Sequence, residues 1–267
     1  MKLGVIGAGN MASAIVRGLV LSKALPAGSI LVSDLDAAKL KTLEALGVHT
    51  YLDNAEVIQN ADTILLAVKP NVYPMVLRQA AQCPDVGTKL LISIAPGISI
   101  ADMKSYFSED MKVIRTMPNT PAMVGEGMTV LCSEAPVTET DLQSALDIFR
   151  AVGKTCVLPE TLLNSVVALN GSSPAYIFVL IEAMADAAVR DGIPRAMAYE
   201  IAAQSVLGSA KMVLETHKHP GELKDMVCSP AGTTIDAVAV LEKAGFRSAI
   251  MDAMAACTEK AQKMAKK

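Results

Sequence analysis

The first twelve residues constrain this chain more than any other part of it. Val5-Ile6 runs directly into Gly7-Ala8-Gly9-Asn10-Met11-Ala12, a Gly-x-Gly-x-x-Ala loop set between a short apolar run and a helical pattern. In that context Gly7 permits a tight turn, Gly9 lets the backbone approach a pyrophosphate, and Ala12 allows helix and strand to pack closely. The start of the helix adds unpaired N–H groups and partial positive charge, which suit an anion. The loop therefore predicts that a dinucleotide binds at Gly7–Ala12.

Beyond the loop the strand-then-helix logic repeats. Apolar runs at Lys2–Ile6, Ile30–Ser33, Thr63–Val68, Leu90–Ile94, Val113–Thr116 and Met128–Cys132 alternate with helical patterns, and Ala12, Ile15, Val16 and Leu19 share one helical face. Such alternation predicts an α/β fold with a Rossmann-like, doubly wound parallel sheet and right-handed crossovers. From about Glu160 the alternation stops. Pro174–Arg190, Arg195–Glu215, Thr233–Lys243 and Ser248 to the end read as helices, and Ala175–Ile181 and Ala183–Val189 are broken only by Glu182 and Asp186. Helices apolar nearly all the way round are buried on most faces. Too few helices follow for them to bury one another, so a second subunit is expected to cover them. The expected division is residues 1–158, binding the dinucleotide, and an all-helical 159–267.

Composition narrows the classes. Hydrophobic residues make up 52% of the chain but aromatics only 3%, with 15 Met and no Trp, so small and flexible side chains must build the core. Net charge is −3 with Lys and Arg spread along the chain, which gives nucleic acid no basic patch to bind. The five Cys form no Cys-x-x-Cys pair, and His49, His217 and His219 make no ligand set, so reduced thiols, a cytoplasmic location and no metal are expected. The chain opens on MKLGVIGAGNMA without a basic-then-apolar leader. Its longest charge-free run, Thr161–Ile181, holds Asn164, Ser165, Asn170, Gly171, Ser172, Ser173 and Pro174, which would be costly in hydrocarbon. A soluble protein with no membrane partner is the expectation.

Two further places bear on chemistry. The second strand ends at Ser33-Asp34, where an acidic residue hydrogen-bonds the ribose hydroxyls of NAD and repels the extra phosphate of NADP. Asp34 could equally be the N-cap of the helix through Lys39–Leu46, and Lys39 or Lys41 could offset the repulsion. Ser229-Pro230-Ala231-Gly232-Thr233-Thr234 reads as a turn feeding a helix that starts near Thr233. Small residues, hydroxyls and free amides there suit a carboxylate, while simple capping by Ser229 or Thr233 would need no ligand. Lys69 invites a catalytic role but reads better as cofactor-facing or solvated, and Arg115 as closing a strand end on a carboxylate elsewhere. Glu182 and Asp186 share a helical face and read as partners for Arg190 or Arg195.

Four segments match one family. They are Ala67-Val68-Lys69-Pro70, Arg115-Thr116-Met117-Pro118-Asn119-Thr120-Pro121, Gly171-Ser172-Ser173-Pro174-Ala175-Tyr176 and Leu223–Ile235, the last succeeded by Leu241-Glu242 and Gly245-Phe246-Arg247. Over essentially its whole length the chain resembles the pyrroline-5-carboxylate reductases. The resemblance implies a C-terminal helical domain that binds substrate, dimerises and often builds larger rings. It implies hydride transfer from NADPH or NADH to the C=N bond of 1-pyrroline-5-carboxylate, giving L-proline. It places the cofactor loop at Ile6, Gly7, Ala8, Gly9, Asn10 and Met11, further cofactor contacts at Asn54, Ala67, Val68, Lys69 and Pro70, and the substrate where helical domains meet. Ser229, Gly232 and Thr233 are implied to hold the substrate carboxylate, with Thr234 beside the ring nitrogen as the catalytic hydroxyl. The chain departs from the family pattern at Asn170, where Ser is commoner, at Pro96, and at Ala231, where Gly is commoner. Ser33-Asp34 also departs from what strict NADPH dependence requires.

The chemistry suits the residues. A protonated or hydrogen-bonded imine accepts hydride at carbon, so the protein supplies orientation and excludes water rather than acid–base groups. Two other readings compete. A β-hydroxyacid dehydrogenase shares the glycine loop but carries a Lys about one turn into the helix after its glycine–serine loop, where this chain reads Pro174-Ala-Tyr-Ile-Phe-Val-Leu. A nucleotide-binding regulatory protein without catalysis would have no need of the Ser229–Thr234 loop.

Overall fold

The computed structural model describes residues 1–107 and 110–265. Its strands are β1 (Leu3–Ile6), β2 (Ile30–Ser33), β3 (His49–Tyr51), β4 (Thr63–Leu66), β5 (Leu90–Ser93), β6 (Lys112–Met117), β7 (Gly127–Ser133) and β8 (Gly153–Val157). They form one sheet in the order β3-β2-β1-β4-β5-β6-β7-β8. β1, β2, β4 and β5 are buried throughout, which is why each reads as an unbroken apolar run. The parallel expectation holds from β3 to β6. It fails beyond, because β7 pairs antiparallel with β6 while β8 runs parallel to β7. The short connection between β6 and β7 has no room for the crossover that parallel neighbours need.

The first six helices are α1 (Asn10–Leu21), α2 (Ala37–Glu44), α3 (Asn54–Asn60), α4 (Tyr73–Ala81), α5 (Ile100–Lys104) and α6 (Glu139–Arg150). The short α7 (Leu163–Val166) leads through a π-helical turn, Val167–Gly171, to α8 (Ser173–Arg190). Then come α9 (Arg195–Thr216), α10 (Pro220–Val227), α11 (Thr233–Lys243) and α12 (Phe246–Ala265). Side chains alternate across the sheet, so two cores form. Val5, Val32, Leu65 and Ile92 meet Ile15, Val16 and Leu19 of α1 and Ile148 and Phe149 of α6. Ile64, Leu66, Leu91 and Val113 meet Val57 of α3, Val76 and Leu77 of α4, and Leu163 of α7.

The chain divides into two compact units, Met1–Ser172 together with the chain from Cys257 onward, and Ser173–Ala256. This places α7, the π-helical turn and the end of α12 with the sheet, whereas the change of sequence texture falls near residue 158. Within the second unit α8 and α9 pack together, yet only Pro174, Ala185, Ala198 and Ala202 of these helices are buried. Phe178, Val179, Leu214, Val240 and Met251 are each more than 60% exposed. Asp186 pairs with Arg195, one of the two partners expected for it. By length and composition the stretch Glu160–Arg190 could cross a membrane, with a mean hydropathy of 1.4 in its most apolar window. It is built of unlike helical pieces with Gly171 and Pro174 inside it.

Candidate functional site

The glycine loop turns at the C-terminal end of β1, where the strand order reverses between β2 and β4, the place where doubly wound sheets bind ligands. Gly7 has φ +101°, and a Cβ there would stand 2.7 Å from the Ala67 carbonyl oxygen, so both the turn and the close approach require glycine. Gly9 is different. It is the N-cap of α1 with φ −72°, and a Cβ on it would meet no atom of the protein within 4 Å. Its glycine leaves open space on the outside of the loop, in front of the helix start. The first turn of α1 carries no acidic residue and no side-chain cap. The amides from Asn10 to Ala12 lack intrahelical acceptors, as at any helix start. A pyrophosphate fits this arrangement in both space and charge.

Two loop amides are already engaged. Gly7 N donates to Ser33 O at 2.7 Å and Ala8 N to Asp34 Oδ2 at 2.8 Å. Asp34 Oδ1 accepts from Asp36 N at 2.9 Å, and Lys39 Nζ lies 3.8 Å away. Asp34 is therefore not the cap of α2; Asp36 is, accepting from Ala38 N at 3.0 Å. The end of β2 is tied further, since Ser33 Oγ donates to Asn54 Oδ1 at 2.8 Å and Asn54 Nδ2 to Gln79 Oε1 at 2.9 Å. Asn54 begins α3 behind its cap Asp53. After β4, Ala67 N donates to Ile6 O at 2.9 Å, which sets Ala67–Pro70 against the glycine loop. Lys69 is exposed just before the 3-10 turn Pro70–Val72. The structure thus gathers Ile6–Met11, Asp34, Asn54 and Ala67–Pro70 along one edge of the sheet.

Beneath that edge lies a polar network of Tyr73, Ser93 and Thr116, to which the sequence alone assigns no role. The buried Tyr73 hydroxyl donates to Leu66 O and shares a hydrogen with Ser93 Oγ, each at 2.9 Å, and Thr116 Oγ1 donates to Ser93 O at 2.9 Å. Burial pushes the Tyr73 phenol above its ordinary range, so it stays a neutral donor. The expected carboxylate for Arg115 is Glu160, 2.9 Å from Nη1. Cys132, buried beneath Arg115 O and near Glu160, has its thiol pushed up to about 12, mainly by burial, and is inert. Asn170, in the π-helical turn, donates from Nδ2 to Met117 O at 2.8 Å and to Met128 O at 2.9 Å, and accepts from Asn119 Nδ2 at 2.9 Å. Serine could not span all three, which gives this departure from the family pattern a structural reason.

In the second unit, Ser229–Gly232 forms a turn closed by Gly232 N donating to Ser229 O at 3.0 Å. Pro230 takes the second position and Ala231 the third, at φ +58°, a left-handed conformation that glycine adopts more cheaply. Gly232 is the N-cap of α11 and no side chain caps this helix, so neither Ser229 nor Thr233 plays the capping role open to it. Ser229 Oγ stands beside Gly232 at the start of α11, where a Cβ on that glycine would collide with it, and Thr234 in the first turn is half-buried. Among the described residues no group of three His, Cys, Asp or Glu could hold a metal ion.

Comparisons with known proteins agree with these features. Residues 160–264 match the pyrroline-5-carboxylate reductase dimerisation family, and residues 2–97 match the family described as NADP oxidoreductase, coenzyme F420-dependent. The pyrroline-5-carboxylate reductase of Escherichia coli (strain K12) is 48% identical over 99% of this chain and 98% of its own length. A solved pyrroline-5-carboxylate reductase from Coxiella burnetii superposes with TM-score 0.92 at 35% identity, covering 100% of this chain and 99% of that one. A Plasmodium falciparum pyrroline carboxylate reductase solved with NADP bound gives TM-score 0.90 at 32% identity, covering 99% and 98%. Likeness of this extent, over both units and with the glycine loop and the Ser229–Thr234 turn in place, means that the chain belongs to the pyrroline-5-carboxylate reductase family.

Proposed function

We propose that this protein reduces the C=N bond of 1-pyrroline-5-carboxylate to give L-proline, the last step of proline biosynthesis, with NADPH or NADH as hydride donor. The single observation that carries the reading is 48% identity, over 99% of the chain, to a reductase of this name. When bound, the nicotinamide supplies the hydride, and the chain supplies everything else. The amides from Gly9 to Ala12 and the open space at Gly9 receive the pyrophosphate. Asp34 and Asn54 face the adenosine ribose, and the backbone of Ala67–Pro70 follows the cofactor from the neighbouring strand.

Ser229, Gly232 and Thr233 hold the substrate carboxylate on the start of α11. Thr234 donates its hydroxyl to the ring nitrogen, orienting the imine and favouring electron flow toward nitrogen, and water supplies the proton that the nitrogen takes up as its carbon accepts the hydride. No acid–base pair is asked of the site, in keeping with the small, uncharged residues of this loop. The enzyme is a soluble cytoplasmic homodimer or a larger ring of dimers, without nucleic acid or membrane partners. Phe178, Val179 and Leu214 belong to the surface that a second copy covers. The direct test is oxidation of NADH and of NADPH with and without pyrroline-5-carboxylate. Cofactor oxidation must require the imine, and short 2- or 3-hydroxy acids must give no reverse reaction.

A further inference from the structure

The connection from β5 to α5, Ile94–Ser99, leaves the same sheet edge as the cofactor loops. At its start Ile94 N donates to Leu66 O at 3.3 Å and Ala95 N to Ser93 Oγ at 3.2 Å. Along its middle, Pro96, Gly97 and Ile98 line a cavity of about 660 Å³, with Ile98 also packed against the core. At its end Ile100 N donates to Glu160 Oε1 at 2.9 Å. The same oxygen receives Arg115 Nη1 at 2.9 Å, and Arg115 Nη2 reaches Asn164 Oδ1 at 3.3 Å. Arg115 is only 3% exposed, and its Nε has no hydrogen-bond partner among the described residues. One carboxylate oxygen therefore joins β6, α5 and the segment before α7.

A dinucleotide crossing the switch point has its pyrophosphate at the loop after β1 and its adenosine toward β2. Its other end must then run over the connections after β4 and β5. We propose that Glu160, acting through Ile100 and Arg115, is a positioning residue for the nicotinamide end of the cofactor. It holds the Ile94–Ser99 connection at the height from which the ring is presented, and touches neither cofactor nor substrate. The proposal rests on the dinucleotide-dependent reading above, and its test separates the two.

The test compares Glu160→Ala, Glu160→Gln and the double variant Arg115→Met with Glu160→Met. Each is titrated with ADP-ribose, which lacks nicotinamide, and with NADP⁺ and NAD⁺, and assayed for kcat and KM. Glutamine keeps an oxygen for both donors and should stay within a few-fold of the parent. Alanine should leave ADP-ribose affinity unchanged while lowering kcat or dinucleotide affinity about 10- to 100-fold, the scale of a misplacement near 1 Å. Should the stranded Arg115 charge prevent folding, the double variant removes the pair without an orphaned charge and should show the same selective loss. Equal weakening of ADP-ribose and dinucleotide, or a lower Tm with kcat and affinities unchanged, overturns the proposal. A parent enzyme that binds the dinucleotide but reduces no imine would overturn the substrate reading alone, and the binding comparison would still decide the role of Glu160.

Discussion

Asp34 accepts from the Ala8 amide at 2.8 Å and the Asp36 amide at 2.9 Å, which places its charge at the rim of the glycine loop. From the sequence its position at the end of a strand was legible, but not its grip on the loop, because a bond across 26 residues leaves no local pattern. A ribose phosphate brought near this carboxylate meets a repulsion of about 1 kcal/mol or more, softened by Lys39. NADH should therefore be used appreciably. Asp34→Ser should move the ratio of catalytic efficiencies toward NADPH, about tenfold for each 1.4 kcal/mol relieved. Asp34→Asn, which keeps an acceptor for Ala8, separates the charge from the loop contact. An unmoved ratio in both variants would leave Asp34 as a clamp only. At Thr234 the expected change is of another kind. Removing a hydroxyl that bonds a developing charge costs roughly 1.5–3 kcal/mol. Thr234→Ala should then lower kcat about ten- to a hundredfold, with cofactor affinity unchanged by titration.

Among the elements, those that the sequence reveals are those buried on both faces. Leu3–Ile6, Ile30–Ser33 and Leu90–Ser93 contain almost nothing polar and stand out as strands. β3 and β8 do not, because His-Thr-Tyr and Gly-Lys-Thr-Cys-Val lie at the two edges of the sheet, partly in water, and need no apolar run. α10 was hidden for a similar reason, since none of its residues is buried within the chain. The reversal at β7 is a matter of connection length, which composition does not record. The π-helical turn is legible only in hindsight, through Asn170. Asn170→Ala would leave the carbonyls of Met117 and Met128 and the amide of Asn119 short of a partner. Leaving such groups unmatched costs about 1–3 kcal/mol. For a chain of this size each kcal/mol lowers Tm by about 2–4 °C, so calorimetry should find a fall of several degrees, with Asn170→Ser intermediate.

For the whole molecule the decisive quantity is the apolar surface that one chain cannot cover. Helices α8 and α9 bury only four residues between them, while Phe178, Val179 and Leu214 are 63, 65 and 72% exposed. Fully burying a side chain of this kind stabilises by about 1.5–3 kcal/mol, so a handful of them outweighs the usual stability of a domain. Light scattering on dilution should show a dimer as the smallest folded species. Leu214→Glu should weaken assembly and lower activity together, whereas a fully active monomer would remove the argument. The all-round apolar helices pointed to this from the sequence alone, since their pattern asks for a partner that 267 residues cannot provide.

The unit that holds the nucleotide loop is not continuous along the chain, for it takes back the polypeptide from Cys257 onward. Cys257 Sγ lies 3.2 Å from Ser172 Oγ, and Met264 joins Pro70 and Tyr106 in the wall of one cavity. During synthesis, then, the stretch Met1–Ser172 is made before the segment that joins it, with Ser173–Ala256 in between. A ribosome that has made the glycine loop, the sheet and every helix but the end of α12 still carries an incomplete nucleotide-binding unit. Its completion waits on the segment from Cys257 onward.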